Sequence, residues 1–315
     1  MILVTGASGF VGGAVVARLA REGVPVRACV RRDGVALPAG VQPARVTDLG
    51  PQTPWADLLP GVTAVVHAAA HVHVMGAAGA DALAEFRRVN VGGSLALARA
   101  AAAAGVRRFV FISSVKVHGE ATAPGRPFRE DDVPAPLDAY GVSKMEAEQA
   151  LRALSVDTGM ELVIIRPPLV YGPGVKANFA ALVRLVRRGW PLPLGAIHNR
   201  RSLVALDNLV DLVLTCLQHP RAAGEAFLVS DGQDLSTTEL VRGVGEAIGR
   251  VPLLLPVPVV LLRGAAAAVG KAAVAQRLCG DLQVDVSKAR QVLGWSPPIP
   301  VREGLRRAVQ EAGHP

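Results

Sequence analysis

The feature that most constrains the fold is a glycine-rich turn close to the start of the chain. A short apolar run, residues 1–5, leads into the turn Gly6-Ala-Ser-Gly9-Phe-Val-Gly12, and an Ala/Val-rich stretch over residues 13–20 follows it. This order predicts a buried strand, a tight turn and a helix. Amides at the start of such a helix attract a diphosphate, and glycines let it approach the backbone. The turn therefore predicts a dinucleotide site formed by Gly6, Ser8, Gly9, Phe10, Val11 and Gly12.

Strand and helix patterns alternate along the first half of the chain. Strands are predicted over residues 25–30, 44–47, 64–67, 108–113 and 161–166, and helices over residues 90–104 and 140–155. This alternation predicts an α/β fold, a Rossmann-type doubly wound parallel sheet with ligands at the carboxyl ends of its strands. Prolines and glycines break the pattern after Pro167. We therefore expect a dinucleotide-binding domain over residues 1–166 and a smaller, partly interleaved substrate lobe over residues 167–315, with residues 226–230 returning to the sheet.

Composition narrows the class of ligand. The net charge is +8, but the arginines are scattered and aromatic residues make up only 4% of the chain, which argues against nucleic-acid binding. An anionic small molecule accounts for the charge equally well. No apolar run has membrane-spanning length and no signal peptide is recognisable, so we expect a cytoplasmic protein without an integral membrane segment. The three cysteines are far apart in the sequence, and no metal site is predicted.

A very apolar stretch over residues 251–275 needs its own interpretation. Prolines, Arg263 and Lys271 interrupt this stretch. A helix on the substrate lobe is the favoured interpretation, and contact with a membrane surface is the alternative.

The end of the second strand bears on the choice of cofactor. A carboxylate there accepts hydrogen bonds from the ribose in NAD-binding proteins. This chain has Val30 at that position, followed by Arg31 and Arg32, whose guanidinium groups suit a 2′-phosphate. We therefore favour NADP(H); a slightly later carboxylate keeps NAD(H) possible, and a solvated loop is the alternative role for the arginines. Beyond the fourth strand, the small side chains of Ala68 and Ala69 would let a cofactor cross the strand end.

Three residues carry the predicted chemistry. Tyr140 and Lys144 are four residues apart on a predicted helix, so they share a face. A nearby ammonium should lower the pKa of the phenol from its usual value of about 10, and Lys144 can also hold the nicotinamide ribose. Ser114, just beyond the fifth strand, can donate a hydrogen bond to a substrate oxygen. Together they predict hydride transfer between a nicotinamide and a carbon, with Tyr140 moving the matching proton.

The glycine turn and this trio resemble the extended short-chain dehydrogenases/reductases, and four segments resemble the nucleotide-sugar epimerase/dehydratase/reductase family. The segments are Phe111-Ile-Ser-Ser-Val-Lys-Val-His-Gly119, Tyr140-Gly-Val-Ser-Lys144, Arg166-Pro-Pro-Leu-Val-Tyr-Gly-Pro173 and Arg201-Ser-Leu-Val-Ala-Leu-Asp-Asn208. The resemblance is nearest to bacterial enzymes that act at C4 of UDP-N-acetylhexosamines in surface polysaccharide synthesis. It implies a nucleotide-sugar substrate and a homodimer formed through the helices over residues 90–104 and 140–155.

The resemblance also assigns binding roles. It implies further cofactor contacts from Asp48, Leu49 and Pro167, the first two beside the adenine. It implies sugar-nucleotide contacts in the second half of the chain, namely Arg201 on the diphosphate, Arg277 as a second phosphate contact, Asn178 near the diphosphate and Pro193 along the nucleobase.

Two departures from the family pattern bear on the activity. Family dehydratases have Asp-Glu directly after the residue that matches Ser114, whereas Val115-Lys116 stands in this chain, so dehydration is not expected. Lys116 is either a substrate contact or a solvent-facing side chain. Many 4-epimerases have asparagine where Leu169 stands, which puts one sugar contact of the epimerase type in doubt.

The leading hypothesis is an NAD(P)-dependent 4-ketoreductase that acts on a nucleotide-linked 4-keto-6-deoxyhexose or its amino form. Hydride would go to C4, Tyr140 would protonate the developing alkoxide, and Ser114 would bind that oxygen. An NAD-dependent nucleotide-sugar 4-epimerase would use the same residues and is the alternative. A non-catalytic NADP-sensing protein is a third hypothesis, which the intact trio of Ser114, Tyr140 and Lys144 disfavours.

Overall fold

Nine strands are found in the part of the chain that the computed structural model describes, residues 1–72, 80–175 and 177–311. In chain order they are β1 (Ile2–Thr5), β2 (Val26–Val30), β3 (Gln42–Arg45), β4 (Ala64–His67), β5 (Arg108–Ile112), β6 (Glu161–Arg166), β7 (Leu169–Tyr171), β8 (Leu203–Ala205) and β9 (Ala226–Leu228). Seven of them form one sheet in the order β3-β2-β1-β4-β5-β6-β9, and all its neighbouring strands run parallel. The predicted Rossmann-type parallel sheet is confirmed.

Eleven α-helices accompany the strands in the same described ranges. They are α1 (Phe10–Arg21), α2 (Ala80–Phe86), α3 (Ser94–Ala103), α4 (Ala139–Thr158), α5 (Ala177–Arg188), α6 (Leu206–Gln218), α7 (Thr237–Ile248), α8 (Val259–Ala268), α9 (Ala272–Cys279), α10 (Ser287–Leu293) and α11 (Val301–Glu311). A π-helical segment over residues 87–93 joins α2 to α3 without a break.

Helices cover both faces of the sheet, which leaves its strands, except for the edge strand β3, buried on both sides. On one face α1 packs against α6, and on the other α3 packs against α4. Successive side chains of a strand point to opposite faces, so Leu3 joins the α3/α4 core and Val4 the α1/α6 core, both fully buried. This two-sided burial explains why the strands read as continuous apolar runs.

The structure shifts two of the predicted elements. The third strand, predicted over residues 44–47, lies at Gln42–Arg45, where only Ala44 is buried, because it is an edge strand that tolerates proline and polar residues. The helix predicted over residues 90–104 begins earlier, with α2, and Asn90 lies inside the π-helical segment. Asn90 therefore does not start a helix.

A second core lies beyond the main sheet. The short strands β7 and β8 pair in parallel, and Tyr171 packs with side chains of α5, α7 and α11. The Tyr171 hydroxyl donates a hydrogen bond to Asp231 at 2.6 Å, just beyond β9. Strand β9 itself pairs with β6, so the chain returns to the main sheet after building part of this second core. Among the described residues, no helix is both long enough and apolar enough to cross a membrane.

Candidate active site

A cleft of about 750 Å3 opens at the carboxyl ends of β1, β4 and β5, where doubly wound folds bind ligands. It brings together residues that the sequence analysis drew from seven separate stretches of the chain. Those that line it are Gly6, Ser8, Gly9, Phe10, Val11, Gly12, Arg31, Asp48, Leu49, Ala68, Ala69, Ser114, Tyr140, Lys144 and Pro167. The fold therefore puts the predicted dinucleotide turn and the predicted chemical trio in one cavity.

The glycine turn has a backbone that only glycine permits. Gly6 has a φ of +69°, and a Cβ at Gly12 would lie 2.2 Å from the Gly6 carbonyl oxygen. Helix α1 starts directly after Gly9, with no side-chain cap and no acidic residue in its first turn. Its first amides and its positive dipole end are therefore available to an anion in the cleft. This uncapped start fits the diphosphate of a dinucleotide.

The two arginines that follow β2, which the sequence analysis assigned to the cofactor, lie in different places relative to the cleft. Arg31 is exposed and lines the cleft, whereas Arg32 faces a neighbouring surface pocket that it shares with Asp33. Asp33 pairs with Arg45 at 3.1 Å. On the cleft rim Arg88 forms ion pairs with Asp48 and Glu85, at 2.8 and 2.9 Å. One of the two predicted arginines, Arg31, therefore borders the cleft at the end of β2, in addition to Arg88 on the rim.

Ser114 lies immediately past β5, in an extended conformation that ends the strand. Its Oγ accepts a hydrogen bond from the Lys116 amide at 3.2 Å. The neighbouring amides of Ser113 and Val115 donate to the carbonyls of Ile165 and Pro167, which fixes the strand end against β6. The bond from Lys116 uses an oxygen lone pair of Ser114 and leaves its hydroxyl proton for a ligand.

Tyr140 stands in the first turn of α4, where Asp138 caps the helix by accepting a hydrogen bond from the Gly141 amide at 2.7 Å. Its ring meets Phe86 edge-on, with 6.0 Å between the ring centroids. Burial raises the pKa of Tyr140, and the nearby Asp138 carboxylate raises it further. These surroundings therefore favour the neutral form of the phenol.

Lys144 is only 1% exposed, one turn further along α4. Its ammonium donates to the Ile112 carbonyl at 2.8 Å and lies 4.3 Å from the centre of the Phe111 ring. Burial lowers the pKa of Lys144 to about 7, against a smaller opposing effect of Glu148. The expectation that this lysine lowers the pKa of the phenol does not hold in the cofactor-free cleft, because burial of Tyr140 dominates.

A buried ion pair behind the cleft holds the elements that carry the trio. Arg166, at the end of β6, binds Glu148 of α4 at 2.6 Å, and both side chains are almost fully buried. The Ser113 hydroxyl donates to the same carboxylate. Removing one partner of such a pair leaves an uncompensated buried charge, so the arrangement is strongly fixed. The pair therefore ties α4, β5 and β6 together beneath Ser114 and Tyr140.

A second buried network beneath the cleft was missed by the sequence analysis. His67 ends β4; its Nδ1 lies 2.6 Å from the Thr5 hydroxyl and its Nε2 lies 2.8 Å from the Ser94 hydroxyl. Ser94 in turn donates to the Asn90 carbonyl at 2.6 Å, so His67 Nε2 carries the proton and Nδ1 accepts one from Thr5. Burial, with a smaller contribution from the charge of Lys144, lowers the pKa of His67 to about 3. The only sequence signal for this role was a histidine at the end of an apolar strand.

Four of the predicted substrate residues, Lys116, Pro193, Arg201 and Arg277, lie outside the lining of this cleft. The Lys116 ammonium is paired with Glu120 at 2.7 Å and also with Asp138. Pro193 is exposed, next to Leu192. The side chain of Asn178 lies outside the described residues, although its backbone belongs to α5.

Two of these residues, Arg201 and Arg277, lie in one part of the structure, because Arg201 contacts Gly280 at the end of α9, the helix that carries Arg277. Arg201 donates to the Gly280 carbonyl at 3.0 Å. Burial lowers the pKa of Arg201, Asp281 and Glu120 oppose this effect, and Arg277 adds to it. The surroundings of Arg201 therefore include two carboxylates as well as the guanidinium of Arg277.

Comparisons with known proteins agree with this geometry. The model described as the NAD dependent epimerase/dehydratase family matches residues 2–230. The UDP-glucose 4-epimerase of Vibrio cholerae is 46% identical over 316 residues, which cover 98% of this chain and 94% of that protein.

Solved structures give the same result. MoeE5 in complex with UDP-glucose and NAD is 28% identical, with a TM-score of 0.77 over 98% of this chain and 97% of that chain. The UDP-N-acetylglucosamine 4-epimerase from Bacillus cereus, at 21% identity, shares the fold, with a TM-score of 0.79 over 99% of each chain. Since the family model matches more than half of the chain and the Vibrio relative nearly all of it, this chain belongs to the NAD-dependent epimerase/dehydratase family of extended short-chain dehydrogenases/reductases.

Proposed function

We propose that the protein is an NAD-dependent 4-epimerase of UDP-linked hexoses. The observation that carries this proposal is the single cleft in which the uncapped start of α1 faces the same space as Ser114, Tyr140 and Lys144. The Vibrio cholerae relative, a UDP-glucose 4-epimerase at 46% identity, favours this activity over the 4-ketoreductase that the sequence analysis ranked first. No comparison supports reduction of a 4-keto sugar specifically.

The residues suggest a division of labour in each half of the reaction. When bound, NAD supplies a hydride acceptor with a positive charge. Tyr140, once deprotonated beside Lys144 and the bound cofactor, would take the proton from the C4 hydroxyl, and Ser114 would donate a hydrogen bond to the C4 oxygen. After the ketone had turned over in the cleft, Tyr140 would return the proton to the C4 oxygen as the opposite face of C4 is reduced. Lys144 lies where it can hold the ribose and stabilise the phenolate while the proton is away.

We infer NAD rather than NADP as the cofactor. The family model is that of NAD-dependent enzymes, and MoeE5 was solved with NAD. Only Arg31 of the predicted arginine pair borders the cleft. The uncapped amides of α1 would hold the diphosphate, and Asp48 and Leu49 would lie at the adenine end. The small side chains of Ala68 and Ala69 would let the cofactor cross the end of β4.

We further propose that Arg201 and Arg277 bind the diphosphate of the sugar nucleotide. Their mutual proximity and the partial burial of Arg201 support this role. Pro193 and Asn178 remain proposed neighbours of the nucleotide, and Lys116 of the sugar. A homodimer through α3 and α4 also remains a proposal, which the mass of the protein in solution by light scattering would test.

The chain offers a matched test of the proposed base, because Tyr140 and Tyr171 are its two tyrosines. Tyr140→Phe should lower the rate of UDP-glucose to UDP-galactose conversion by at least about a hundredfold, the usual worth of a general acid–base group, with bound NAD retained. Tyr171→Phe removes a hydroxyl bound to Asp231 in the second core, so it should reduce stability but spare turnover. Full epimerase activity in Tyr140→Phe would refute the mechanism.

The cofactor bound to the purified protein also distinguishes a 4-epimerase from a 4-ketoreductase. An epimerase recycles its cofactor, so the protein should carry NAD after purification and need no added reductant. If instead it binds no NAD and consumes NADPH only with a 4-keto sugar nucleotide, the reductase hypothesis is right and the epimerase proposal is wrong.

A further inference from the structure

Helices α8 and α9 form a hairpin with an unusually apolar exposed surface. The two helices pack against each other, and no residue of α8 is buried. Val260, Leu261 and Val269 are 79%, 62% and 67% exposed. A helix that is apolar all round is normally buried in a core or in a membrane. We call residues 251–279 the apolar hairpin; it contains the stretch over residues 251–275 for which the sequence left membrane contact as the alternative.

The apolar hairpin is also free of negative charge. No Asp or Glu occurs over residues 249–280, whereas four cationic residues do: Arg250, Arg263, Lys271 and Arg277. The side chains of Arg263 and Lys271 are exposed on the same hairpin as the exposed valines and leucines. A surface of apolar and exclusively cationic side chains complements an anionic lipid surface, into which the apolar groups insert while the cations meet the headgroups.

An exposed tryptophan extends this surface. Leu192 pairs with the start of the hairpin through backbone hydrogen bonds to Leu253 and Leu255, at 2.9 and 2.8 Å. Trp190, two residues earlier, is 61% exposed, and Arg188 lies 5.6 Å from its ring. Tryptophan is enriched at the boundary between lipid and water, because its ring is apolar and its N–H is polar.

We propose that the apolar hairpin, together with Trp190, docks the protein on the surface of an anionic membrane. A second copy of the chain is the less favoured occupant, because bringing two such hairpins together would oppose like charges without any carboxylate between them. The hairpin ends next to Gly280, whose carbonyl accepts a hydrogen bond from Arg201. Docking would therefore bring the proposed diphosphate site close to the membrane surface, without placing any part of the chain across the bilayer.

Binding to lipid vesicles tests the proposal on the full-length protein. Vesicles of phosphatidylcholine with added phosphatidylglycerol should sediment the protein, whereas pure phosphatidylcholine should sediment much less, and salt should weaken binding. The fluorescence of Trp190 should shift to the blue on binding. That shift reports Trp190 because the other two tryptophans, Trp55 and Trp295, are only 2% and 5% exposed.

Variants on the hairpin should lose binding and keep activity. Leu261→Asp should weaken vesicle binding by more than about tenfold, and the double variant Arg263→Gln/Lys271→Gln by roughly thirtyfold, since each surface cation contributes about 1 kcal/mol. Turnover of a soluble UDP-sugar should stay unchanged, because none of these side chains lines the cofactor cleft.

Matched controls lie elsewhere on the surface. Val133→Asp changes a side chain that is 85% exposed, and Arg126→Gln/Arg221→Gln removes two exposed cations; both should bind vesicles like the wild type. The proposal fails if the wild type does not bind vesicles that contain phosphatidylglycerol, or if the control variants lose as much binding as the hairpin variants. It also fails if the hairpin variants change the mass in solution, which would make a second copy the occupant, or raise KM for the UDP-sugar, which would make the hairpin a lid.

Discussion

Lys144 offers a measurable conflict between stability and function. The folded protein lowers the pKa of this ammonium from 10.5 to about 7, because the side chain is buried. Each pKa unit corresponds to about 1.36 kcal/mol, so holding the charged form in the cofactor-free cleft costs about 5 kcal/mol below pH 7. The contacts with the Ile112 carbonyl and the Phe111 ring each stabilise the charged ammonium by about 1 kcal/mol, which offsets part of this cost. We therefore expect Lys144→Met to stabilise the cofactor-free protein by about 2–3 kcal/mol near pH 6.5.

The sign of the pH dependence follows from where the proton resides. Between pH 7 and 10.5 the unfolded chain keeps a proton on Lys144 that the folded protein has released, so the stability of the wild type rises with pH. Lys144→Met lacks this titration. Its advantage over the wild type should therefore shrink by about 3 kcal/mol between pH 7 and pH 9.5, and should disappear towards the upper end of that range.

Urea unfolding of the two cofactor-free proteins at several pH values measures this difference. Lys288→Met is a suitable control, because Lys288 forms a partly exposed ion pair with Glu225 at 2.7 Å. That variant should change stability by less than about 1 kcal/mol, with no trend over the same window. If Lys144→Met is less stable than the wild type at pH 6.5, or if the difference between them is independent of pH, the reasoning about its burial is wrong. Turnover should fall sharply in Lys144→Met under all these conditions.

Three further substitutions test other parts of the cleft. Gly12→Ala should weaken NAD binding by more than about tenfold, because the added Cβ would lie 2.2 Å from a carbonyl oxygen of the turn. The control is Gly264→Ala, whose added Cβ would meet no atom within 4 Å, so the affinity measured in an NAD titration should stay unchanged. Arg166→Met should destabilise the protein by about 3–5 kcal/mol in urea unfolding, since Glu148 is left buried and unpaired, and a loss below 1 kcal/mol would contradict this. The wild type should lose stability as the pH falls from 6.5 towards 3, where the unfolded chain protonates His67 and the folded one does not; His67→Asn should show less of this loss in acid unfolding curves.

The sequence predicted the buried strands better than the exposed ones. The strands at Ala64–His67 and Glu161–Arg166 were placed at their observed limits, because both are buried along almost their whole length. Strand β3 was displaced because only one of its residues is buried, so hydrophobicity carries little signal there. The three-residue strands β7 and β8 were missed, since so short a pairing depends on tertiary contacts rather than on a local pattern.

The same contrast holds for the candidate site. The glycine turn and the Tyr140/Lys144 spacing are local patterns with a direct physical meaning, and the fold brings them into one cleft. The direction in which the pKa of Tyr140 shifts was not predicted from the sequence, because burial depends on the assembled cleft and not on the distance to Lys144 along the helix. The network around His67 joins residues up to 62 positions apart, so no local pattern could reveal it.

The position of β9 late in the sequence has a consequence for synthesis of the protein. This strand completes the edge of the seven-stranded sheet beside β6, yet the chain between the two strands first builds β7, α5, β8 and α6. A nascent chain that ends before residue 226 therefore exposes the backbone of β6 as an open edge, which invites pairing with other chains. A cut made after β6 to isolate the nucleotide-binding half would leave the same edge open. Strand β9 thus makes the two cores one folding unit. The edge of β6 is covered only after most of the chain has been made.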